Sequence, residues 1–387
     1  MQINHKKIAI IGGGPGGLTL ARLLQLKGAN VKVYERDMNK DARVQGAPLD
    51  MHEESGLAAL IKANLLTEFK NNFMPGADKT LILNDQAEIF FSDHENNIKE
   101  DFGNEHFRPE IDRGVLRKIL LDSLEPETVV WNSHFISMEP QNESWLLHFK
   151  DGLSMYADLV IGSDGANSKI RPYLTDIKPF YSGITMLEGN VYDSEKSVPK
   201  MHSLINGGKI MAFGNEKNIL MGQKGGGDLG FYVSFKTHEN WAKESGIDFS
   251  DRTDVLNWFK KEYPEWSNIW DELFEKAATP FIPRPIYCSP LDQSWKTISN
   301  LTIIGDAAHV MPPFAGEGAN MAMLDALELS ESLTSDEYSS LEEAILNYEL
   351  KMRKRAASAA KDSLENGEKM HSADSLNTML EFFNGTY

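Results

Sequence analysis

A short strand, a glycine turn and an apolar helix follow one another at the start of this chain and confine it to a parallel-sheet α/β architecture. Lys7-Ile-Ala-Ile-Ile11 is a β-branched run, the pattern of a strand buried on both faces. Glycines at 12, 14 and 17 follow at once in G-x-G-x-x-G spacing. Leu18 to Lys27 is apolar at 18, 20, 21, 23, 24 and 26, which predicts a largely buried helix stopped by Gly28. Val31 to Tyr34 reads as a second strand, tipped by Glu35. In such a half-unit Gly12 permits the tight turn, Gly14 lets the backbone approach a pyrophosphate, and Gly17 lets helix and strand pack closely. The helix N-terminus, which starts near Pro15, offers unpaired N–H groups and partial positive charge to phosphates. Glu35 can accept hydrogen bonds from ribose hydroxyls, and its charge would repel a 2′-phosphate at this site. The pattern points to a dinucleotide without saying which one.

Two later segments narrow the choice. Asp158-Leu-Val-Ile-Gly-Ser-Asp164-Gly165-Ala-Asn-Ser168-Lys-Ile-Arg171 is a strand running into a polar turn and then a helix start. In isolation an Asp-Gly pair is most often an ordinary turn. Leu301-Thr-Ile-Ile-Gly305-Asp306-Ala-Ala-His309 is another buried strand ending in Gly-Asp. The Asp306 carboxylate is placed to accept from a ribityl hydroxyl. Pro313, Phe314, Gly316, Gly318 and Asn320 follow, and a helix is expected from about Asn320 through Leu333. Its N-terminus would face the pyrimidine edge of a flavin and stabilise the anion that forms there on reduction. Gly316 and Gly318 leave room for the backbone against the ring. A ligand long enough to serve all three turns is FAD. His309 is read as structural rather than as a general acid, and Met311, Met321 and Met323 as packing residues.

The middle and late segments resemble the fingerprints of class A flavoprotein monooxygenases, the p-hydroxybenzoate hydroxylase group. Asp164 and Gly165 match the defining pair of the middle one, with Ser168 and Arg171 matching its tail. The resemblance covers nearly the whole chain and is closest to the tetracycline-inactivating flavin monooxygenases. Tyr34-Glu35-Arg36-Asp37, Ala42-Arg43, Leu49-Asp50-Met51-His52, Arg113 to Glu125 and Gly305 to Asn320 carry it. It implies an α/β fold: a Rossmann-type FAD-binding domain, an antiparallel-sheet substrate domain and a long bridging C-terminal helix. It also implies that Glu35, Asp50, Arg113 and Asp306 hold FAD, with Arg36 beside them. Arg43 would lie on the nicotinamide approach, and Arg117, one turn beyond Arg113, would face the cofactor. The plainer meaning of Arg113 and Arg117 is a solvated helix face.

The substrate half departs from the tetracycline enzymes. Glu188 stands where they carry glutamine, Lys209 replaces an arginine with Met211 kept beside it, and Gln223 replaces an asparagine. Their histidine aligns with Gly230, followed by Phe231 and Tyr232. Phe314 is retained as a pocket floor and Met370 falls where they have a methionine. Glu188, Lys209, Gln223 and Tyr232 are therefore candidates for orienting a polar polycyclic substrate, and each could equally be a satisfied sheet residue.

The cofactor segments at both ends imply a discontinuous FAD domain from 1–75, 103–178 and 296–328. Residues 76–102 and 179–295 would form the substrate domain, with a hairpin from 76–92 added to its sheet and a helix near Val255 to Glu262. Thr128 to Phe149 reads as a small meander. Residues 340–387 would supply the bridging helix, from Ser340 to about Lys369, and a tail that closes the pocket. A mean hydropathy of −0.37, the absence of a long apolar run and a strand starting by residue 7 argue against a membrane span or a signal peptide. Cys288 is the single cysteine among 387 residues, so no intrachain disulfide forms; a reducing cytoplasm is the expectation. The net charge of −18 argues against nucleic acid or anionic membrane as partners. A monomer acting on an aromatic or polyketide-like small molecule is expected, and no metal site is.

There is one dinucleotide fingerprint, so NADPH is expected to visit, deliver hydride to FAD and leave. Oxygen would then add to the reduced ring as a C4a-hydroperoxide, an electrophile that needs a phenolic or enolic carbon. The cofactor carries the hard chemistry, and no catalytic triad is expected. A simple aromatic hydroxylase and a flavin-binding protein without turnover remain alternatives. The Trp-x-Trp-x-Ile-Pro signature of flavin halogenases is absent; Trp266 and Trp270 sit outside any such motif.

Overall fold

The three glycine turns emerge side by side because the strands before them are neighbours. In the computed structural model, which describes residues 3, 5–41, 47–95, 102–104 and 107–385, β1 (Lys7–Ile11) lies at the centre of a five-stranded sheet. On one side stand β2 (Asn30–Tyr34) and β7 (Val129–Val130); on the other stand β11 (Leu159–Gly162) and β17 (Leu301–Ile303). Every pairing is parallel, and the register sets Ile11 beside Gly162 and Gly162 beside Ile303. The crevice outside the carboxyl ends of such strands is where open α/β sheets bind ligands. Gly12 adopts φ +109°, and a Cβ there would lie 2.2 Å from the Ser163 carbonyl oxygen. Only glycine fits, and it joins the first turn to the second. The helix Pro15–Gln25 buries Leu18, Leu20, Ala21, Leu23 and Leu24, as its apolar pattern requires.

The second layer is a seven-stranded sheet. Its order is β16 (Ile282–Cys288), β12 (Phe180–Val191), β15 (Leu229–Lys236), β14 (Lys217–Gln223), β13 (Lys209–Gly214), β4 (Thr80–Asn84) and β5 (Ile89–Ser92). The pairs are antiparallel except β13 with β4, which run parallel, so the sheet is not purely antiparallel. The hairpin β4–β5 enters it from far back in the chain and lies beside β13 with its direction already fixed. Period-two alternation gives the two faces different jobs. In β15, Leu229, Phe231, Val233 and Phe235 enter an aromatic core with Phe259, Tyr263, Trp270 and Phe274, while Gly230 and Tyr232 face the other way. The helix Arg252–Glu262 covers the core side, capped by Asp251, whose carboxylate accepts from the Thr253 N–H at 2.7 Å.

A two-stranded ribbon, β3 (Leu49–Asp50) with β6 (Glu110–Ile111), sits between the layers. The expected meander is β8 (Phe135–Gln141), β9 (Ser144–Phe149) and β10 (Ser154–Ala157). It starts later than the sequence pattern suggested, because Val129–Val130 joins the parallel sheet instead. The helix start expected after Asp164 is a single turn, Arg171–Tyr173. The late helix begins at Glu317, three residues before Asn320, because Gly316 takes φ +71° and acts as its N-cap.

The long helix Leu341–Met370 runs past both layers. Ser340 Oγ accepts from the Glu343 N–H at 3.1 Å and Glu343 accepts from the Ser339 N–H at 2.8 Å, a reciprocal cap of the capping-box kind. Along its length Tyr348 Oη donates to the Ile303 carbonyl at 3.1 Å, Ser363 Oγ to the Pro312 carbonyl at 2.5 Å and Asn366 to the Phe314 carbonyl at 3.2 Å. At its end His371 meets Ser234 on β15 at 2.8 Å. The tail helix Ser375–Phe383 packs on β4 and β13. None of its residues lines the central cavity, so it does not close the pocket as expected. Among the described residues, no helix is long and apolar enough to cross a membrane.

Candidate functional site

A cavity of about 990 Å³ runs from the three glycine turns to the inner face of the seven-stranded sheet, at the upper end of the range of about 300–1,000 Å³ for small-molecule sites. Gly12, Gly14 and Pro15 line it from the first turn, Asp164 from the second, and Asp306, Pro313, Gly316 and Gly318 from the third. Glu35, Arg36, Asp50 and Arg113 complete the polar wall. A Cβ added at Gly14 would meet nothing within 4 Å, so this backbone is open to an approaching phosphate. Glu35 is held beside the first turn: its carboxylate accepts from the Gly13 N–H at 2.6 Å and from the Asp37 N–H at 3.0 Å.

Asp164 and Asp306 are tuned by this enclosure. Burial raises the Asp164 carboxyl above its usual range, against bonds from Ser168 and from the backbone N–H groups of Lys169 and Ile170. One oxygen accepts from the Lys169 N–H at 2.7 Å, while Oδ1 is buried without a partner. An acceptor left bare in a cavity wall fits a ligand that donates. Burial likewise raises Asp306, although His309, Arg113 and Arg171 pull the other way. Arg171 ties the second turn to the third, donating to the Ala307 carbonyl at 2.7 Å and the Asp306 carbonyl at 2.8 Å. The open Gly14 edge, the acid at the second strand and the bare Asp164 oxygen fit FAD. Glu35 and the Pro15 helix end would hold its adenosine and pyrophosphate, and Asp306 with the Glu317 helix end its ribityl and ring.

Several expected site residues stand behind the wall rather than on it. Gly17 is packed inside the first turn, where a Cβ would lie 2.2 Å from the Gly12 carbonyl oxygen. Asn320 is buried and locks the late helix to the ribbon: it donates to the Asp50 carbonyl at 2.8 Å and accepts from the His52 N–H at 3.0 Å. Arg117 is neither solvated nor on the cavity. It is 8% exposed, pairs with Asp37 at 2.9 Å and donates to the Lys40 carbonyl at 3.0 Å. Arg43 lies outside the described residues.

His309 is buried and does not line the cavity. Asp325, fully buried, accepts from His309 Nε2 at 2.6 Å, from the Gly305 N–H at 2.8 Å and from Arg355 at 2.6 Å. Burial alone would lower the imidazole, but the charge and hydrogen bond of Asp325 outweigh it and raise it. Asp325 is held below the usual carboxylate range, burial again being outweighed by His309 and Arg355.

On the sheet side, Glu188, Lys209, Met211, Gln223 and Tyr232 line the cavity. Phe314 and Met370 do not. The Phe314 ring turns instead against Gly367 and His371 of the long helix, and Met370 packs with Ile82 and Phe213. Glu188 is 5% exposed and paired with Arg284, a cavity residue the sequence did not single out. Burial raises the Tyr232 phenol, helped by Glu188, so it stays neutral and can donate. Lys209 Nζ is bound to Glu110 at 2.6 Å. Glu110, His52 and Arg171 were also not assigned roles. His52 sits between Asp50 at 3.0 Å and Glu317 at 3.3 Å. Burial lowers it, but those two carboxylates bring it up to about 9.

A family profile described as an FAD binding domain matches residues 294–363, and one described as an NAD(P)-binding Rossmann-like domain matches residues 10–39. The chain is 29% identical over 379 residues to the monooxygenase asqM of Emericella nidulans, covering 84% of this chain and 83% of that one. In fold it is similar to HpxO of Klebsiella pneumoniae, solved with FAD and uric acid (TM-score 0.76, 20% identity, 99% and 93% of the two chains). It is similar also to the tetracycline destructase Tet(55) (TM-score 0.77, 16% identity, 100% and 96%). At those identities the two structures speak to the fold.

Proposed function

We propose that this chain is an FAD-dependent monooxygenase of the class A type that consumes NAD(P)H and O2 to hydroxylate a polycyclic phenolic or enolic ring compound, tetracyclines among the candidates. The observation that carries this reading is one continuous space joining the three flavin turns to a sheet face bearing Lys209, Gln223 and Tyr232. Bound FAD would supply hydride acceptance and the activation of oxygen. The protein's own residues do the rest. Met211, Leu220, Val310 and Met311 make the space between turns and sheet apolar and exclude water. Tyr232 donates to, and Lys209 carries charge toward, the oxygen substituents of a ring lying on the sheet. A tetracycline destructase and a uric acid complex among the fold neighbours support a flat, oxygen-rich substrate. Cofactor residues are proposed as named above, with Glu35, Asp50, Arg113, Asp164 and Asp306 in polar contact with FAD.

The test is a panel of phenols, hydroxyquinolines and tetracyclines, given to FAD-loaded protein with NADPH and with NADH. Mass spectrometry reads the gain of one oxygen atom and an electrode reads oxygen uptake. A protein that holds FAD yet shows no compound-stimulated oxygen uptake across the panel refutes the reading.

A further inference from the structure

Five ionisable side chains from four parts of the fold stand in a row beneath the sheet end of the cavity. Glu317 starts the late helix and His52 follows β3; they meet at 3.3 Å. His52 meets Asp50 at 3.0 Å. Asp50 on β3 stands directly opposite Glu110 on β6, and Glu110 meets Lys209 on β13 at 2.6 Å. Asp50, Glu110 and Lys209 line the cavity; Glu110 is 6% exposed.

This arrangement is costly as pure scaffolding. Like charges directly opposite on a ribbon repel, and a buried ion pair is often matched or bettered by apolar residues of the same volume. The two carboxyls are also unequal. Asp50 is held low, its burial outweighed by the His52 bond and by the charges of Lys209, His52 and Arg108. Glu110 is raised by burial, with Asp50 and Asp78 adding to the rise and Lys209 opposing it. The charged groups that act on it are Lys209 from β13, Asp50 from β3 and Asp78 from the turn before β4; Arg108 and His52 act on Asp50, and Glu317 on His52. Asp50 therefore stays ionised while Glu110 is the member able to take a proton, and pairs of carboxyls pushed apart in this way mark acid–base assignments.

An electron-rich ring reacts faster with an electrophilic oxygen once its hydroxyl has lost a proton, and a dry cavity must provide the acceptor. We propose that Glu110 accepts the proton of the substrate's acidic ring hydroxyl and that Lys209 then holds the resulting oxyanion. The substrate O–H bond breaks, an O–H bond forms on a Glu110 oxygen, and the electron pair stays on the substrate oxygen. Lys209 keeps its protons: when Glu110 is neutralised its ion pair dissolves, and the ammonium is left beside the new negative charge. Glu110 returns the proton to the product oxygen at the end of turnover. The role in turnover rests on the hydroxylation proposed above; the proton transfer on binding does not.

The experiment uses 4-nitrophenol, whose ionisation is visible, added to FAD-loaded protein without NAD(P)H at a pH below the free phenol's own ionisation. The wild type is expected to shift the bound phenol's ionisation by at least about tenfold, seen as the nitrophenolate band in difference spectra. Glu110→Gln, with its FAD content measured to show that it is folded, is expected to abolish the band; Glu110→Asp restores part of it, and Lys209→Met leaves the bound phenol neutral. In turnover of a phenol that is oxygenated, Glu110→Gln is expected to lower kcat on the order of 100-fold at low pH and progressively less as pH rises through the substrate's own ionisation. A wild type that binds nitrophenol without ionising it, or a Glu110→Gln protein that ionises it equally well, overturns the proposal. A wild type that ionises bound nitrophenol but oxygenates no ring overturns the hydroxylation and leaves the proton transfer standing.

Discussion

Replacing Asp325 tests whether the third flavin turn is held by one buried carboxylate. That side chain has no exposed surface and satisfies three donors on two segments: the Gly305 N–H and His309 Nε2 of one short helical turn, and Arg355 of the long helix. Asp325→Ala strands them unequally. Arg355 keeps Glu328 at 2.5 Å, so its charge retains a partner. The Gly305 N–H is left buried and unbonded, at about 1–3 kcal/mol. His309 loses the carboxylate that raises its imidazole, and with it a charge-assisted bond worth about 1.5–3 kcal/mol. The sum, about 2.5–6 kcal/mol, brackets the loss of about 3–5 kcal/mol usual on breaking a buried ion pair. Asp325→Asn keeps an acceptor and should cost roughly half as much. Urea unfolding of the FAD-free protein, followed by tryptophan fluorescence, measures both. The double variant with His309→Ala should fall short of additivity by about 0.5–3 kcal/mol, as expected for residues in one network. An Asp325→Ala protein within about 1 kcal/mol of wild type, or additive behaviour with His309→Ala, refutes the reasoning.

Two histidines should give stability opposite pH dependences. His52 is raised from 6.5 to about 9, so its contribution is full below pH 6.5 and is lost as pH rises toward 9; a urea midpoint falling over that window, flattened by His52→Asn, is expected, on the order of 3 kcal/mol at most. His371 is lowered by burial and by Lys236, so its contribution is present above 6.5 and lost as pH falls, and His371→Gln should blunt the acid limb. Glycine substitutions should separate folding from binding. Gly12→Ala, which meets the Ser163 carbonyl at φ +109°, should yield little folded protein on expression. Gly14→Ala, whose Cβ faces open space, should fold with unchanged circular dichroism and bind FAD at least about tenfold more weakly in a fluorescence titration.

The parallel sheet and its turns were legible because the information is local. A strand, a glycine turn and a helix lie within some twenty residues, and Gly12, Gly14, Asp164 and Asp306 all come to one cavity. The sequence pattern places the start of the late helix at Asn320 because Gly316-Glu317-Gly318 looks like loop. Glycine is a poor helix former, yet Gly316 serves as an αL N-cap and the helix begins at once. Sequence spacing sets Arg117 with Arg113, because residues four apart share a helix face. Asp37 and the Lys40 carbonyl draw it aside, a partnership 77 to 80 residues distant in sequence. Phe314 and Met370 depend on where the long helix comes to rest, with Gly367 making room for the Phe314 ring. Glu110 escaped notice because it acquires meaning only from Lys209, 99 residues away, and from Asp50 across the ribbon. Its place two residues before the helix-capping Asp112, just ahead of the segment that begins at Arg113, is the one local hint.

The long helix is a gauge. Its bond to Ile303 from Tyr348 and its bond to Ser234 through His371 lie twenty-three residues apart, about 35 Å at 1.5 Å per residue. The hydroxyl of Tyr348 is fixed to the strand that ends in the flavin turn, and His371 is fixed to the sheet that would carry the substrate. The standoff between a ring on that sheet and a cofactor in the turns would therefore be written in a count of residues rather than in any side chain that touches either. Side chains on the inner sheet face can be exchanged to suit a new molecule without disturbing that interval. A single residue inserted between Arg355 and Ser363 would swing the far anchors by about 100° and spoil the alignment for every substrate alike.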